Sequence, residues 1–318
     1  MKISLLEPLG VPEELIYELA EGFKERGHEF VYYDAKTTDP AELKARSEGS
    51  DIVMIANNPY PAEVISSLDC LKMIAVAFTG IDHVGCKACK EKGIMVCNAA
   101  GYSNQTVAEL AIGMAVCALR NITKANAAVR EGKTSAGIGG REICGRTVGI
   151  IGLGRIGLMT AKLFAAFGAE VTAFNRSESE EAKALGIEYK SLEEVLSESD
   201  IISLHLPLND ETRGFISKER IALMKDDAVF INCARGPIVD NAALAQALND
   251  DKLGFACVDV FDMEPPLPAD YPLLGAKNTL LTPHQAFISE ESMQRRAKIV
   301  FDNVYAYLDG KPENVCSL

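Results

Sequence analysis

The sequence predicts an α/β protein of two domains, each a doubly wound parallel sheet, on three observations. Short apolar runs alternate with amphipathic stretches along nearly the whole chain. One such run leads through a glycine-rich turn into a helical stretch. The 318 residues, 48% of them hydrophobic, exceed what one ordinary core needs and suffice for two. The first series reads "KISLLE", Pro12 to Glu25, "EFVYYD", "DIVMIA", Ala62 to Leu68 and "KMIAVAF". Its strand segments are rich in Val and Ile and lack polar alternation, as strands covered on both faces require.

The rhythm breaks at "VCNAAGYSNQTVAELAIGMAVCALRNITKANAAVREGK", whose amphipathic length predicts a long helix crossing between domains. A second α/β series starts at "GRTVGIIGLG" and continues through "VTAF", "DIISLHL", "DAVFINC", "GFACVDV" and "NTLLTPH". Ser289 to Leu308 has apolar residues at helical spacing and no place in the order of that second sheet. It is expected to return and cover the first domain. The predicted organisation is therefore residues 1–98 with 285–318 as a flavodoxin-like substrate domain, and 99–284 as a dinucleotide-binding domain.

No apolar run is long enough to span a membrane, and Met1-Lys2 leads straight into "ISLLEP" without a secretory leader, so a cytoplasmic protein is expected. The nine cysteines sit mostly in apolar segments and are read as reduced thiols, with no disulfides. Cys86 and Cys89 form a CxxC preceded by His83, in a segment that reads as one helix. Without a second cysteine pair nearby they are read as structural thiols, and no metal is expected. A net charge of -13 argues against nucleic acid, and an anionic substrate needs one well-placed arginine as a local exception.

"TVGIIGLGRIGLMTAKLFAAFGAEVTAF" places Gly152, Gly154 and Gly157 directly after a strand and before a helix. Strand, glycines, helix and second strand in this order form a dinucleotide-binding unit. Gly152 permits the tight turn, Gly154 lets the backbone approach a pyrophosphate, and Gly157 allows close helix packing, while the helix start offers N–H groups to the anion. The end of the second strand, where an acid would accept the ribose hydroxyls, carries Asn175, Arg176 and Ser177. Their chemistry suits a 2′-phosphate, so NADP(H) is favoured over NAD(H), with Glu178, Glu180 and Glu181 as the counterweight.

Arg235 in "INCARGPIVD", Glu264 in "VDVFDMEPP" and His284 in "TLLTPHQAF" each follow a late strand, on the edge where a parallel sheet places function. With "GLGRIG", "SLHLPLNDETRGFI", "MKDDAVFINCARGPIVDNAALAQAL", "GFACVDVFDMEPP" and "NTLLTPHQAF" in this order, the chain resembles the D-isomer-specific 2-hydroxyacid dehydrogenases over nearly its full length. The resemblance implies two Rossmann-like domains with the active site in the cleft between them, and it gives Arg235, Glu264 and His284 the catalytic positions. His284 would donate a proton to the carbonyl oxygen of a 2-oxoacid as hydride arrives from the nicotinamide, and Glu264 would hold the imidazole and raise its pKa. Arg235 would bind the carboxylate. The same resemblance implies substrate contacts at Phe78, Thr79 and Gly80. It implies cofactor contacts at Thr106, Arg155, Ile156, His205, Pro207, Thr212, Cys233, Ala234 and Asp259.

Phe78 stands where phosphoglycerate dehydrogenases of this family carry an arginine, so a phosphorylated substrate ranks low. "FNRS" resembles NADPH-dependent glyoxylate/hydroxypyruvate reductases and "HQAF" the D-lactate dehydrogenases. Glyoxylate or hydroxypyruvate ranks first, pyruvate second and D-3-phosphoglycerate third. Formate oxidation is set aside, because it needs no acid-base pair. A dinucleotide-sensing, corepressor-like binding protein is the alternative of another class. The apolar surface of Val107 to Val129, together with the resemblance, predicts a homodimer packed through the nucleotide-binding domain.

Overall fold

The computed structural model describes residues 1–318, which divide into two compact units, Met1–Ser103 with Ile288–Leu318, and Asn104–Phe287. The first contains β1 (Lys2–Leu5), α1 (Glu13–Glu25), β2 (Glu29–Tyr32), α2 (Pro40–Ser47), β3 (Ile52–Ile55), α3 (Ala62–Ser66), β4 (Met73–Val76), α4 (Cys86–Lys92) and β5 (Met95–Asn98). The second runs α5 (Asn104–Leu119), α6 (Ile122–Arg130), β6 (Thr147–Ile151), α7 (Arg155–Ala166), β7 (Glu170–Phe174), α8 (Glu180–Ala184), β8 (Glu188–Tyr189), α9 (Leu192–Glu198), β9 (Ile201–Leu204), α10 (Lys218–Ile221), β10 (Val229–Asn232), α11 (Asn241–Asn249), β11 (Phe255–Val258) and β12 (Thr279–Leu281). The last helix, α12 (Glu290–Leu308), belongs to the first unit.

Both sheets are parallel throughout. The first has the order β2-β1-β3-β4-β5, the flavodoxin-like winding, and the second β12-β11-β10-β9-β6-β7-β8. The first core packs Ile3, Leu5, Ile52, Met54, Met73 and Ala75 against Phe23 of α1 and against Ala297, Val300, Phe301 and Val304 of α12. Those four α12 residues recur at helical spacing, which is why the C-terminal helix returns to this sheet. Its start is fixed by a capping box in which Ser289 accepts from the backbone N–H of Ser292.

Three sequence expectations need adjustment. The junctions lie at 103/104 and 287/288 instead of 98/99 and 284/285. Ala99 N–H donates to Phe78 O, and Arg295 Nε donates to Tyr102 O, which keeps 99–103 with the first unit. Ala286 N–H donates to Asp259, which keeps 285–287 with the second. The long crossing helix is broken into α5 and α6, bent by 58°, because Asn121 takes the left-handed conformation at φ 52°. Asparagine tolerates that region better than other side chains. Finally, the segment around the CxxC is helical only from Cys86, with Cys89 buried and Cys86 partly exposed. His83 precedes that helix and its Nε2 lies 3.0 Å from Ala56 O. No single helix is long and apolar enough to cross a membrane.

Candidate active site

In the second unit the chain winds outward from β6 through β7 to β8, then returns to the other side of β6 for β9 to β12. Loops leaving β6 and β9 at their carboxyl ends therefore diverge, and such a switch point is where a doubly wound sheet takes a ligand. The glycine turn sits there. Gly152 has φ 95°, and a Cβ on it would lie 2.7 Å from His205 O, while one on Gly157 would lie 2.1 Å from Gly152 O. Neither position admits a side chain. A Cβ on Gly154, in contrast, meets no protein atom within 4 Å. The protein's own packing does not require glycine there, and the space in front of the α7 N-terminus, with the N–H groups of Arg155 and Ile156 in its first turn, fits the backbone-close approach of a pyrophosphate.

Asn175, just past β7, does not hold out its amide. Its Oδ1 accepts from Leu153 N–H at 3.2 Å and its Nδ2 donates to Ser177 O at 2.8 Å, so it ties the glycine turn to the loop that follows. The neighbouring acids are engaged with lysines: Glu178 and Glu180 with Lys183, at 2.7 and 3.2 Å, and Glu181 with Lys162 at 2.8 Å. Arg176, whose side chain is 83% exposed, reaches Glu211 at 3.5 Å instead of the acids beside it in sequence.

Along the other half of the edge, His205 is only partly accessible, and the loss of water around its ring lowers its pKa to about 4. Its Nε2 lies 2.9 Å from Ser203 Oγ. Thr212 closes the turn after Pro207 by donating to Pro207 O at 2.6 Å. Cys233 and Ala234 are buried beneath the turn that follows β10, where burial pushes the Cys233 thiol well above its ordinary range. Thr106 lies in the first turn of α5, half-buried.

Strands β10, β11 and β12 end level, with Asn232 opposite Val258 and Val258 opposite Leu281. Arg235, Glu264 and His284 follow these three ends. Arg235 is extended, its Nη1 donating to Ala234 O at 2.8 Å, and Asn232 Nδ2 caps its carbonyl at 3.1 Å. His284 Nδ1 faces both oxygens of Glu264, at 2.8 and 3.0 Å. The imidazole is 13% exposed and the glutamate 67%, so the pair is open to solvent on the carboxylate side. Phe287 meets the imidazole edge to face with ring centroids 5.3 Å apart.

The backbone of His284 has φ 52°, in the left-handed region that few non-glycine residues adopt, and Asp259 holds it there. This fully buried carboxylate accepts from Thr282 Oγ1 at 2.5 Å, Gln285 N–H at 2.9 Å and Ala286 N–H at 2.8 Å, while its carbonyl accepts from His284 N–H at 2.8 Å. Expected as a cofactor contact, Asp259 spends its side chain on the histidine turn.

In the first unit, Thr79 O accepts from Asn98 Nδ2 at 2.8 Å and Phe78 O accepts from Ala99 N–H at 2.9 Å, which fixes the Phe78–Gly80 turn at the end of β4. The Phe78 ring is buried against His83 and Tyr102, so this side chain is wall and scaffold instead of an open contact. The Thr79 hydroxyl is buried without a hydrogen-bond partner.

Residues 112–286 match the family of the D-isomer specific 2-hydroxyacid dehydrogenase, NAD binding domain. The chain is 36% identical over 302 residues to a hydroxypyruvate reductase of Blautia hydrogenotrophica, covering 93% of this chain and 94% of that protein. It is also 36% identical over 271 residues to a glyoxylate reductase of Korarchaeum cryptofilum, covering 83% and 81%. Among solved structures, an acyclic imino acid reductase in complex with NADPH and D-Arg superposes with a TM-score of 0.89 at 30% identity, covering 100% of both chains. The glycine turn at the switch point and the histidine-carboxylate pair at the level strand ends thus stand in a chain that belongs to the D-isomer specific 2-hydroxyacid dehydrogenases, nicotinamide-dependent oxidoreductases acting on CH–OH groups.

Proposed function

We propose that this protein reduces a small 2-oxoacid, glyoxylate or hydroxypyruvate in first place, and that it favours NADPH. The observation that carries the reading is the His284–Glu264 pair, at 2.8 and 3.0 Å, beside Arg235 on one sheet edge. With Nδ1 turned to the carboxylate, Nδ1 keeps its proton and donates it in a hydrogen bond to Glu264, and Nε2 is the nitrogen that exchanges a proton with substrate. A reduced nicotinamide, when bound, supplies hydride to the carbonyl carbon. His284 Nε2–H donates its proton to the carbonyl oxygen, and Glu264 stabilises the charge the ring carries beforehand. Arg235 pairs with the substrate carboxylate.

Arg176 and Ser177 are the groups that favour a 2′-phosphate, since Asn175 is occupied within the loop. The acids that would repel the phosphate are neutralised in part by Lys162 and Lys183. The names of the two reductase relatives agree with a small unphosphorylated substrate. A homodimer through the second unit accords with Ile122 and Val129 on α6, 48% and 73% exposed and two turns apart on one helix face. A cytoplasmic setting accords with nine unpaired thiols.

The test is a panel of glyoxylate, hydroxypyruvate, pyruvate and 3-phosphohydroxypyruvate assayed with NADPH and with NADH. The highest kcat/KM is expected for glyoxylate or hydroxypyruvate with NADPH. A highest value for pyruvate with NADH would move the protein to the D-lactate side of the family, and no turnover with any of them would overturn the reductase reading.

A further inference from the structure

The turns that carry Arg235 and Glu264 are packed backbone to backbone: a Cβ on Gly236 would lie 1.9 Å from Phe261 O. Close packing alone leaves two loops free to slide, and three side chains prevent it. Asn241, at the start of α11 and buried, donates from Nδ2 to Gly236 O at 3.3 Å and to Asp262 Oδ1 at 3.0 Å. Asp262 uses its other oxygen to accept from Tyr271 Oη at 2.8 Å. Tyr271 is itself buried and meets Phe261 edge to face, with centroids 5.7 Å apart. Burial and then the neighbouring carboxylate raise the Tyr271 pKa, so its hydroxyl remains a donor.

We propose that Asn241, Asp262 and Tyr271 form a clamp that sets the Arg235 turn against the Glu264 turn, and that they are positioning residues of the active site. The inference rests on the catalytic reading of Arg235, Glu264 and His284. Asp262 lies two residues before Glu264, so the Tyr271–Asp262 bond acts on the carboxylate that holds His284. The Asn241–Gly236 bond acts on the carbonyl of the residue that follows Arg235. Hydrogen bonds to a carboxylate are stronger than those between neutral groups, and misplacement of a catalytic group by about 1 Å is costly in rate.

Tyr271→Phe removes one hydroxyl and no packing. It is expected to lower kcat about tenfold, with the dissociation constant for the nicotinamide cofactor, read by its fluorescence, unchanged within about twofold. The same substitution made in Glu264→Gln is expected to cause no further loss in kcat, because the group it positions is gone. Asn241→Ala is expected to raise KM for the 2-oxoacid more than it lowers kcat, through Arg235. An unchanged kcat in Tyr271→Phe, or an equal loss with and without Glu264→Gln, would overturn the clamp. Glu264→Gln as active as the unaltered protein would instead overturn the catalytic reading on which the clamp rests. Should Tyr271→Phe not accumulate as folded protein, Asn241→Ala decides alone: an unchanged KM would overturn the clamp.

Discussion

Two loops at carboxyl ends of the second sheet differ in how they are held. The turn after β12, which carries His284, hangs on the buried carboxylate of Asp259 by three side-chain hydrogen bonds and stays in a left-handed backbone conformation. The loop after β7 is held by the Asn175 amide, by Ser179 N–H donating to Tyr189 Oη at 2.8 Å, and by exposed ion pairs, Arg176 with Glu211 among them. Exposed pairs contribute little and exchange partners freely, whereas a buried carboxylate with several donors defines one geometry. Proton transfer needs the second kind of support. Coenzyme choice needs only charge within reach, and the proposed 2′-phosphate contacts stand on the softer loop.

The largest effect that would break this contrast is loss of the anchor. Asp259→Ala leaves two backbone N–H groups and a hydroxyl without their acceptor, the Ala286 N–H of them buried, and should cost about 3–5 kcal/mol in urea unfolding. In whatever protein stays folded, kcat should fall by about 10²-fold. A stability change below about 1 kcal/mol would mean that the His284 turn is held by something other than Asp259.

The next effect in size is set by His205. Its folded pKa, about 4, lies below its ordinary 6.5. The unfolded chain therefore takes up a proton that the folded one refuses, and the sign follows: stability should be constant above about pH 6.5, fall between about 6.5 and 4, and level off below, by up to about 3 kcal/mol. Urea midpoints across this range in the unaltered protein and in His205→Gln test it. A slope that persists in the variant would assign the acid sensitivity elsewhere.

The smallest effect belongs to the soft loop. Arg176→Ala should weaken NADPH by about tenfold, near 1.4 kcal/mol, and leave NADH within about twofold. Equal loss for both coenzymes would remove Arg176 from any role in telling them apart.

Much of this was legible in the sequence for a local reason. Strand segments without polar alternation, the spacing of Gly152, Gly154 and Gly157, and polar residues just past three strands are short-range patterns, and the sheets and the edge follow from them. What stayed hidden depends on partners distant in the chain. Asp259 was visible at a strand end, yet its bonds to Thr282, Gln285 and Ala286 appear only when β11 and β12 lie side by side. Asn175 showed the right chemistry for a phosphate, but Leu153, brought close by the pairing of β6 with β7, claims its oxygen. Asn241 is an unremarked member of its motif, Tyr271 lies outside the motifs, and their link through Asp262 is tertiary. The bend at Asn121 was hidden for another reason: helical periodicity continues across it while one residue turns left-handed.

Proton transfer at the edge anchored on buried Asp259 can be read in a single turnover. Protein preloaded with NADPH is mixed with glyoxylate, and the loss of reduced nicotinamide is followed in the unaltered protein and in His284→Gln. A rate lower by about 10²–10⁴-fold is expected in the variant, with NADPH affinity unchanged within about twofold. Equal single-turnover rates would contradict it.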